Sequence, residues 1–273
     1  MRCTAGVDVG STYTKAAVLD GAGRVIGTGM IPTGFRLDAA ATAALDAARA
    51  QAGVAATDVA YVATTGYGRS QVPFRDVQAT DLTAQAWGAR FFFPRTMTVL
   101  DIGGQTLKAL RLDESCKVRS FRLNDKCAAG TGAFLEKTAR YLGYPIEEIG
   151  PLVAGSAETI TISGVCAVFA ESEVINHVSE GEPPETIMRG AMHSLIEKCV
   201  RLMKRVQMEP EFTLVGGIMR FPAMREMLRA SLPHGVNVPP EEMVQYTAAI
   251  GAAVLAGRRL DKLAGASAPA LAS

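Results

Sequence analysis

At 273 residues, with 48% hydrophobic and 20% charged side chains, the chain has an ordinary globular composition and room for two modest domains. A formal net charge of +1 and the lack of a long basic run remove the electrostatic case for nucleic acid, and no apolar stretch reaches the roughly 18–20 residues of a membrane span. Five cysteines, an odd number, follow an amino terminus with no signal-peptide layout, which argues against a disulfide framework and for a cytoplasmic location.

The opening pattern, Gly6-Val-Asp-Val-Gly-Ser-Thr-Tyr-Thr-Lys-Ala-Ala-Val-Leu-Asp20, predicts two strands joined by a tight polar turn. A third strand follows at 24–31, an Ala-rich helix at 38–52, and a strand at 59–64 that ends in Thr65-Gly-Tyr-Gly-Arg69. A helix is expected at 81–90. Then the opening pattern returns as Thr98-Val-Leu-Asp-Ile-Gly-Gly-Gln-Thr-Leu-Lys-Ala-Leu-Arg-Leu-Asp113. A shift of 93 residues lays Asp8 on Asp101, Gly10 on Gly103, Lys15 on Lys108, Ala16 on Ala109, Leu19 on Leu112 and Asp20 on Asp113. A repeat of this kind predicts an α/β protein of two related lobes, 1–98 and 99–260, with the closing helix free to pack back on the first. Residues 261–273 read as a disordered tail.

After the repeat, strands are expected at 118–123 and 159–162, a short helix at 147–154 and a helical run at 168–178. A long helix at 185–206, a buried-type strand at 212–217 and helices at 221–230 and 246–258 complete the chain. Two of the five cysteines stand apart. Cys127 lies in Asn124-Asp-Lys-Cys-Ala-Ala-Gly-Thr-Gly-Ala-Phe-Leu-Glu136, just before a turn of Gly130, Thr131 and Gly132. Phe134, Leu135, Thr138, Ala139 and Leu142 give the run that follows one apolar stripe at helical spacing. The first N–H groups of that helix are expected to face an anion, either a phosphate or a negatively charged iron–sulfur cluster. Cys166, in Ser163-Gly-Val-Cys166, has the same setting ahead of the run at 168–178. The alternative for both is a small buried hydrophobe, which is also the reading for Cys3, Cys116 and Cys199, as packing or surface residues.

Three segments point to a nucleotide. Gly10, Ser11 and Thr12 offer N–H groups and hydroxyls to phosphate, with Lys15 close behind as a point charge. Gly103, Gly104 and Gln105 form the second such turn. Asp8 and Asp101, one per lobe, suit a Mg²⁺ ion held through water. Val215, Gly216 and Gly217 offer bare backbone on which a nucleoside lies flat. One Asp-x-Gly turn is usually only a hairpin; two, with a late glycine pair, predict an ATP site.

The two hairpins with the trailing Val-Gly-Gly resemble the phosphate-1, phosphate-2 and adenosine motifs of the actin, sugar kinase and Hsp70 superfamily. Asn124-Asp-Lys-Cys-Ala-Ala-Gly-Thr-Gly132 and Cys166-Ala-Val-Phe-Ala-Glu-Ser-Glu-Val-Ile175 narrow this to one branch, as do Thr65-Gly-Tyr-Gly-Arg69 and Asp101-Ile-Gly-Gly-Gln105. These segments resemble the ATP-dependent activators of 2-hydroxyacyl-CoA dehydratases and the ATPase subunits of benzoyl-CoA reductases, a likeness that runs from Gly6 to Gly257. The resemblance implies a nucleotide in the cleft between ribonuclease H-like lobes. It also implies one 4Fe–4S cluster shared by two subunits, each giving Cys127 and Cys166. Since such a cluster takes about four thiolates, two suitable cysteines per chain agree with that. The implied partners are a second copy or a related ATPase subunit, CoA-ester reductase or dehydratase subunits, and a ferredoxin or flavodoxin-type donor.

Implied roles follow. Asp101 and Gln105 would be catalytic, with Gln105 either orienting the attacking water or only bonding phosphate and Mg²⁺ water. Thr131 would either link phosphate to the cluster helix or cap it. Hydrolysis would alter the interlobe angle and with it the two cluster-facing helices. The output would be a low-potential electron delivered to a partner enzyme. Leu123-Asn-Asp-Lys-Cys127 and Phe134-Leu-Glu-Lys-Thr-Ala-Arg-Tyr-Leu-Gly143 lie slightly nearer the reductase subunits, with a homodimeric dehydratase activator as the alternative. A small-molecule kinase or a chaperone-like ATPase of the same superfamily would leave both cysteines idle. Glu171 and Glu173 read as a partner-docking pair or a solvated helix face. His177, His193 and His234 read as structural, and Trp87 and residues 91–93 as packing.

Overall fold

The computed structural model describes residues 2–124, 131–154, 158–163 and 167–266. Cys127, Gly130 and Cys166 lie outside them. The chain forms two compact units, one joining Met1–Pro94 to Tyr246–Ser273, the other Arg95–Gln245.

The first unit is a five-stranded sheet of β1 (Cys3–Val9), β2 (Tyr13–Leu19), β3 (Val25–Pro32), β4 (Val59–Thr65) and β5 (Val77–Gln78), in the order β3-β2-β1-β4-β5. The first three strands are antiparallel neighbours; β4 runs parallel to β1 and β5 parallel to β4. Helices α1 (Leu37–Ala52), α2 (Asp81–Phe92) and, from the far end of the chain, α8 (Thr247–Ala266) complete it. Their signals are local. Thr80 caps α2 by accepting the Thr83 N–H at 3.2 Å, and Gly53 ends α1 in the left-handed conformation.

The second unit repeats that sheet with β6 (Thr98–Ile102), β7 (Leu107–Leu112), β8 (Val118–Asn124), β9 (Phe212–Val215) and β10 (Val236–Asn237), ordered β10-β9-β6-β7-β8. Strand for strand and direction for direction this is the first sheet again. The repeat legible as a hairpin is thus a whole five-stranded unit. Its helices are α3 (Gly132–Tyr141), α4 (Ile149–Ala154), α5 (Ala167–Glu180), α6 (Pro184–Arg205) and α7 (Pro222–Ser231). Proline opens both α6 and α7, where its missing N–H costs nothing.

Two expectations change. Residues 159–162 form no strand; Ile162 is buried in the second core, and the Ile160 carbonyl lies 2.5 Å from where a Cβ on Gly190 would stand. Packing onto α6 overrides the β propensity of that run. The closing helix does not stop near residue 258 but continues to Ala266, six residues into the predicted disordered tail. Among the described residues no helix is long and apolar enough to cross a membrane.

Candidate nucleotide site

In the first unit the β1–β2 register sets Asp8 opposite Lys15, and the Lys15 Nζ lies 3.5 Å from Asp8 Oδ2. In the second the β6–β7 register sets Asp101 opposite Lys108, with Lys108 Nζ 3.0 Å from Asp101 Oδ2. Both carboxylates are largely buried, at 8% and 4% exposure. A buried carboxylate beside an ammonium recovers part of its desolvation cost through the ion pair. Lys15 is thus paired with Asp8 behind the turn. Lys108, its equivalent, lay within the sequence repeat but not among the predicted site residues.

The turns between these strands carry the polar tips. Ser11 and Thr12 are exposed, and so are Gly104 and Gln105, their equivalents in the second unit. Thr33 fastens the first turn: its hydroxyl donates to the Gly10 carbonyl at 2.8 Å and its N–H to the Thr12 carbonyl at 3.0 Å. Gly10 leaves no space for a side chain, since a Cβ there would stand 2.7 Å from the Tyr13 carbonyl oxygen. In the second turn the Gly103 N–H donates to the Thr106 carbonyl at 2.8 Å.

Behind each aspartate stands a glycine with positive φ. Gly66, at φ +85°, follows β4, and a Cβ on it would overlap Asp8 Oδ1. Gly216, at φ +98°, follows β9, and a Cβ there would lie 2.8 Å from Asp101 Oδ1. Only glycine combines this backbone with that closeness. Gly216 thus makes room for a carboxylate, a reason different from the flat nucleoside surface inferred for it. Gly217 fits that surface better, because a Cβ on it would have only Gln245 within 4 Å. Thr65 and Gly66 were not predicted as site residues; their equivalence to Val215 and Gly216 comes from the strand registers, and the 93-residue sequence repeat does not reach it.

The start of α3 corrects another expectation. The Gly132 N–H donates to the Gly103 carbonyl at 3.0 Å and the Ala133 N–H to the Gly104 carbonyl at 2.8 Å. The second turn therefore takes the helix's first donors, which were expected to face an anion. Thr131 is buried beside them and makes no capping hydrogen bond. Further along, Lys137 Nζ donates to Glu171 Oε2 at 2.7 Å, joining α3 to α5, and Glu173 Oε2 accepts the Ser163 N–H at 2.5 Å. Glu171 and Glu173 are neither free docking groups nor a solvated face; they brace the segments that flank Cys166.

Residues 5–256, nearly the whole chain, match one family of ATPases. The chain belongs to the BadF/BadG/BcrA/BcrD ATPase family. Relatives in this ATPase family include a 2-hydroxyisocaproyl-CoA dehydratase activator from Clostridioides difficile, 35% identical over 93% of this chain and 94% of that one. A benzoyl-CoA reductase subunit from Thauera aromatica is 37% identical over 78% of this chain and 77% of its own. The solved structure of the Clostridium difficile activator with bound ADPNP matches with a TM-score of 0.90 at 33% identity, covering 99% of this chain and 100% of that one. The fold is the two-lobed, actin/sugar kinase-like α/β fold.

Within each unit taken by itself, a hard carboxylate oxygen at a strand end behind a turn with exposed polar or glycine tips is the kind of donor that suits the Mg²⁺ and phosphate of the family's ATP. The thiols of Cys3, Cys116 and Cys199 are all buried, and burial raises the pKa of Cys3 and Cys199, which makes poor metal ligands of them. Among the described residues no group of three or more His, Cys, Asp or Glu is placed to hold a metal. His177, His193 and His234 pair with Glu180, Glu197 and the Phe212 ring. Arg258 stacks on Trp87, its guanidinium carbon 4.2 Å from the ring centroid.

Proposed function

We propose that this chain is an ATP-hydrolysing iron–sulfur protein that drives low-potential electrons into a partner enzyme acting on a CoA ester. The observation that carries the reading is the duplicated acidic row. Asp8–Lys15 and Asp101–Lys108 stand in identical registers, each behind a phosphate-type turn. In this reading Gly10, Ser11 and Thr12 and their equivalents Gly103 and Gly104 give N–H groups and hydroxyls to phosphate oxygens. Asp8 and Asp101 hold waters of a Mg²⁺ ion, which when bound would neutralise phosphate charge. Asp101 and Gln105 address the attacking water, and Gly216 and Gly217 border the nucleoside. Gly130, Thr131 and Gly132 connect the second turn to the cysteine segment.

Cys127 and Cys166 are the thiolates proposed for a 4Fe–4S cluster shared with a second copy or a related subunit, which would supply one-electron carriage. Support for coupling lies in the bonds that run from turn to helices. The carbonyls of Gly103 and Gly104 hold the start of α3, and Lys137–Glu171 ties α3 to α5. A turn that shifts with the state of its nucleotide therefore pulls on both cysteine segments. The size of that pull is bounded by the nucleotide's differential affinity for the two states.

As partner we retain both candidates: a 2-hydroxyacyl-CoA dehydratase, supported by the likeness to its activator over 94% of that protein, and benzoyl-CoA reductase, supported by the 37% identity to its subunit. Residues 123–127 and 134–143 lean toward benzoyl-CoA reductase. A ferredoxin or flavodoxin-type protein would be the donor.

Oxygen-free preparations are expected to carry about four irons per two chains. Cys127→Ser and Cys166→Ser should lose that iron while hydrolysing ATP; Asp101→Asn should keep iron and lose hydrolysis. Iron-free protein that phosphorylates a sugar would sink the proposal in favour of a kinase.

A further inference from the structure

Of the three residues in register at each aspartate, one differs between the units. In the first unit the row is Lys15–Asp8–Thr65, in the second Lys108–Asp101–Val215. Residues in register on adjacent strands share a face, so Thr65 stands on the same face as Asp8. Threonine and valine have nearly the same shape, and both positions are 0% exposed. The second unit builds the same strand, the same following glycine and the same acidic neighbour with valine. The fold therefore calls for the shape of residue 65 and not for its hydroxyl.

That hydroxyl is also unsatisfied. Thr65 Oγ1 is buried and has no hydrogen-bond partner among the described residues, whereas Thr64 Oγ1 next to it donates to the Arg69 carbonyl at 3.0 Å. An unpaired buried hydroxyl carries a desolvation penalty that valine would avoid. A group kept at such a cost, in one unit and not the other, is explained by a partner from outside the protein. Gly66 sharpens this, because its missing side chain leaves Asp8 Oδ1 uncrowded on the β4 side.

We propose that Thr65 is a positioning residue for the nucleotide's divalent cation. Its hydroxyl holds an ordered water between Asp8 and the cation's hydration shell. A buried water needs about two to four polar partners, and Thr65 Oγ1, the Asp8 carboxylate and a cation-bound water supply three. Mg²⁺ keeps several of its waters, so contact through a hydration shell is its usual mode. This rests on the reading of Asp8 as a cation-side residue, and it adds that the two aspartates are unequal: the one in the first unit is backed by a hydroxyl, the other by a methyl.

The test uses the full chain and a non-hydrolysable ATP analogue, titrated by calorimetry at varied Mg²⁺ and again in EDTA. Thr65→Val is expected to raise the Mg²⁺ concentration for half-maximal binding about 10-fold, the usual size for an outer-shell partner. Its binding in EDTA should match the parent, and its nucleotide-free melting temperature should equal or exceed the parent's, because valine avoids the unpaired hydroxyl's penalty. Thr65→Ser, which keeps the hydroxyl, should restore most of the Mg²⁺ response. A Thr65→Val protein with the parental Mg²⁺ dependence would overturn this inference alone. So would one that melts markedly lower without nucleotide, since the hydroxyl would then be structural. A parent that binds no Mg²⁺-nucleotide would overturn the phosphate-turn reading and this inference together.

Discussion

The two units share one sheet topology and are filled in opposite ways. The first is packed with the smallest residues. Ala41, Ala44 and Ala48 of α1, Ala84, Ala86 and Ala89 of α2, and Ala249, Ala252, Ala253 and Ala256 of α8 are all buried. Here backbones approach one another: a Cβ on Gly88 would overlap the Thr247 carbonyl, one on Gly251 the Ala84 carbonyl, and one on Gly6 the Ala249 carbonyl. In the second unit large side chains interdigitate, among them Phe134, Leu135, Ile187, Met188, Met192 and Leu195. The same topology is thus reached by close backbone packing on one side and by side-chain volume on the other. The first arrangement has no slack for added atoms, and the second depends on atoms already there.

That contrast is open to a direct test, beginning where the effect should be largest. Phe134, 1% exposed, sits on the first turn of α3 within the second core. Phe134→Ala should cost about 3–5 kcal/mol in a urea titration, because removing a buried ring loses its transfer energy and leaves a cavity. A cost below about 1 kcal/mol would mean that this core collapses freely and the contrast is false. In the first unit the sensitive change is an addition. Gly251→Ala places a methyl against the Ala84 carbonyl and 2.5 Å from the Gly88 nitrogen, both backbone atoms that a rotamer change cannot move. The strain, about 1–3 kcal/mol, exceeds the up to ~1 kcal/mol that alanine gains over glycine in a helix. Trp87, the single tryptophan, lies on α2 one residue from Gly88, so its emission should report the loss. A stabilised Gly251→Ala protein would show that the helices have room to part.

The same contrast accounts for what the sequence made legible. The hairpin repeat was readable because each copy needs Asp, Gly and Lys at fixed places: the register puts Lys15 on Asp8 and Lys108 on Asp101. The long helices were readable from their apolar spacing. The remaining half of each sheet was not, because β4 and β9 share shape rather than residues. Thr65-Gly66 and Val215-Gly216 align only once both are seen behind an aspartate. The two-residue strands β5 and β10 are too short to carry a period, and they exist because a neighbouring strand offers an edge. The run at 159–162 failed for the opposite reason, with good local propensity and no ladder to join. The bonds from Gly103 and Gly104 to α3 are backbone bonds, which no residue type announces.

The smallest expected effect lies at the far ends of the hairpins, where the two units should behave alike. Asp20 Oδ1 accepts the N–H groups of Ala22 and Arg24, each at 2.9 Å, and Asp113 Oδ1 those of Ser115 and Lys117, also at 2.9 Å. Hydrogen bonds to the charged form hold both carboxyls below the usual range. For Asp113 the Lys117 N–H is the main cause and the value falls to about 2; for Asp20 the Arg24 N–H leads. In the unfolded chain these groups titrate near the ordinary 3.8. Their contribution is therefore present above the unfolded value and is lost as acid protonates first the unfolded form and then the folded one, which for Asp113 happens near pH 2. Asp113→Asn should flatten the fall of the urea midpoint between about pH 4 and pH 2, Asp20→Asn should flatten its fall below about pH 4, and each should lower the midpoint at neutral pH. The first unit holds two further depressed carboxyls, Asp38 at about 2 through the Arg36 side chain and Asp58 through the Ala55 N–H. Unfolding it takes up more protons, so the transition read from Trp87 should steepen with acid more than hydrogen exchange in β6 and β7. Equal slopes from the two probes would mean that these extra carboxyls are as well solvated folded as unfolded.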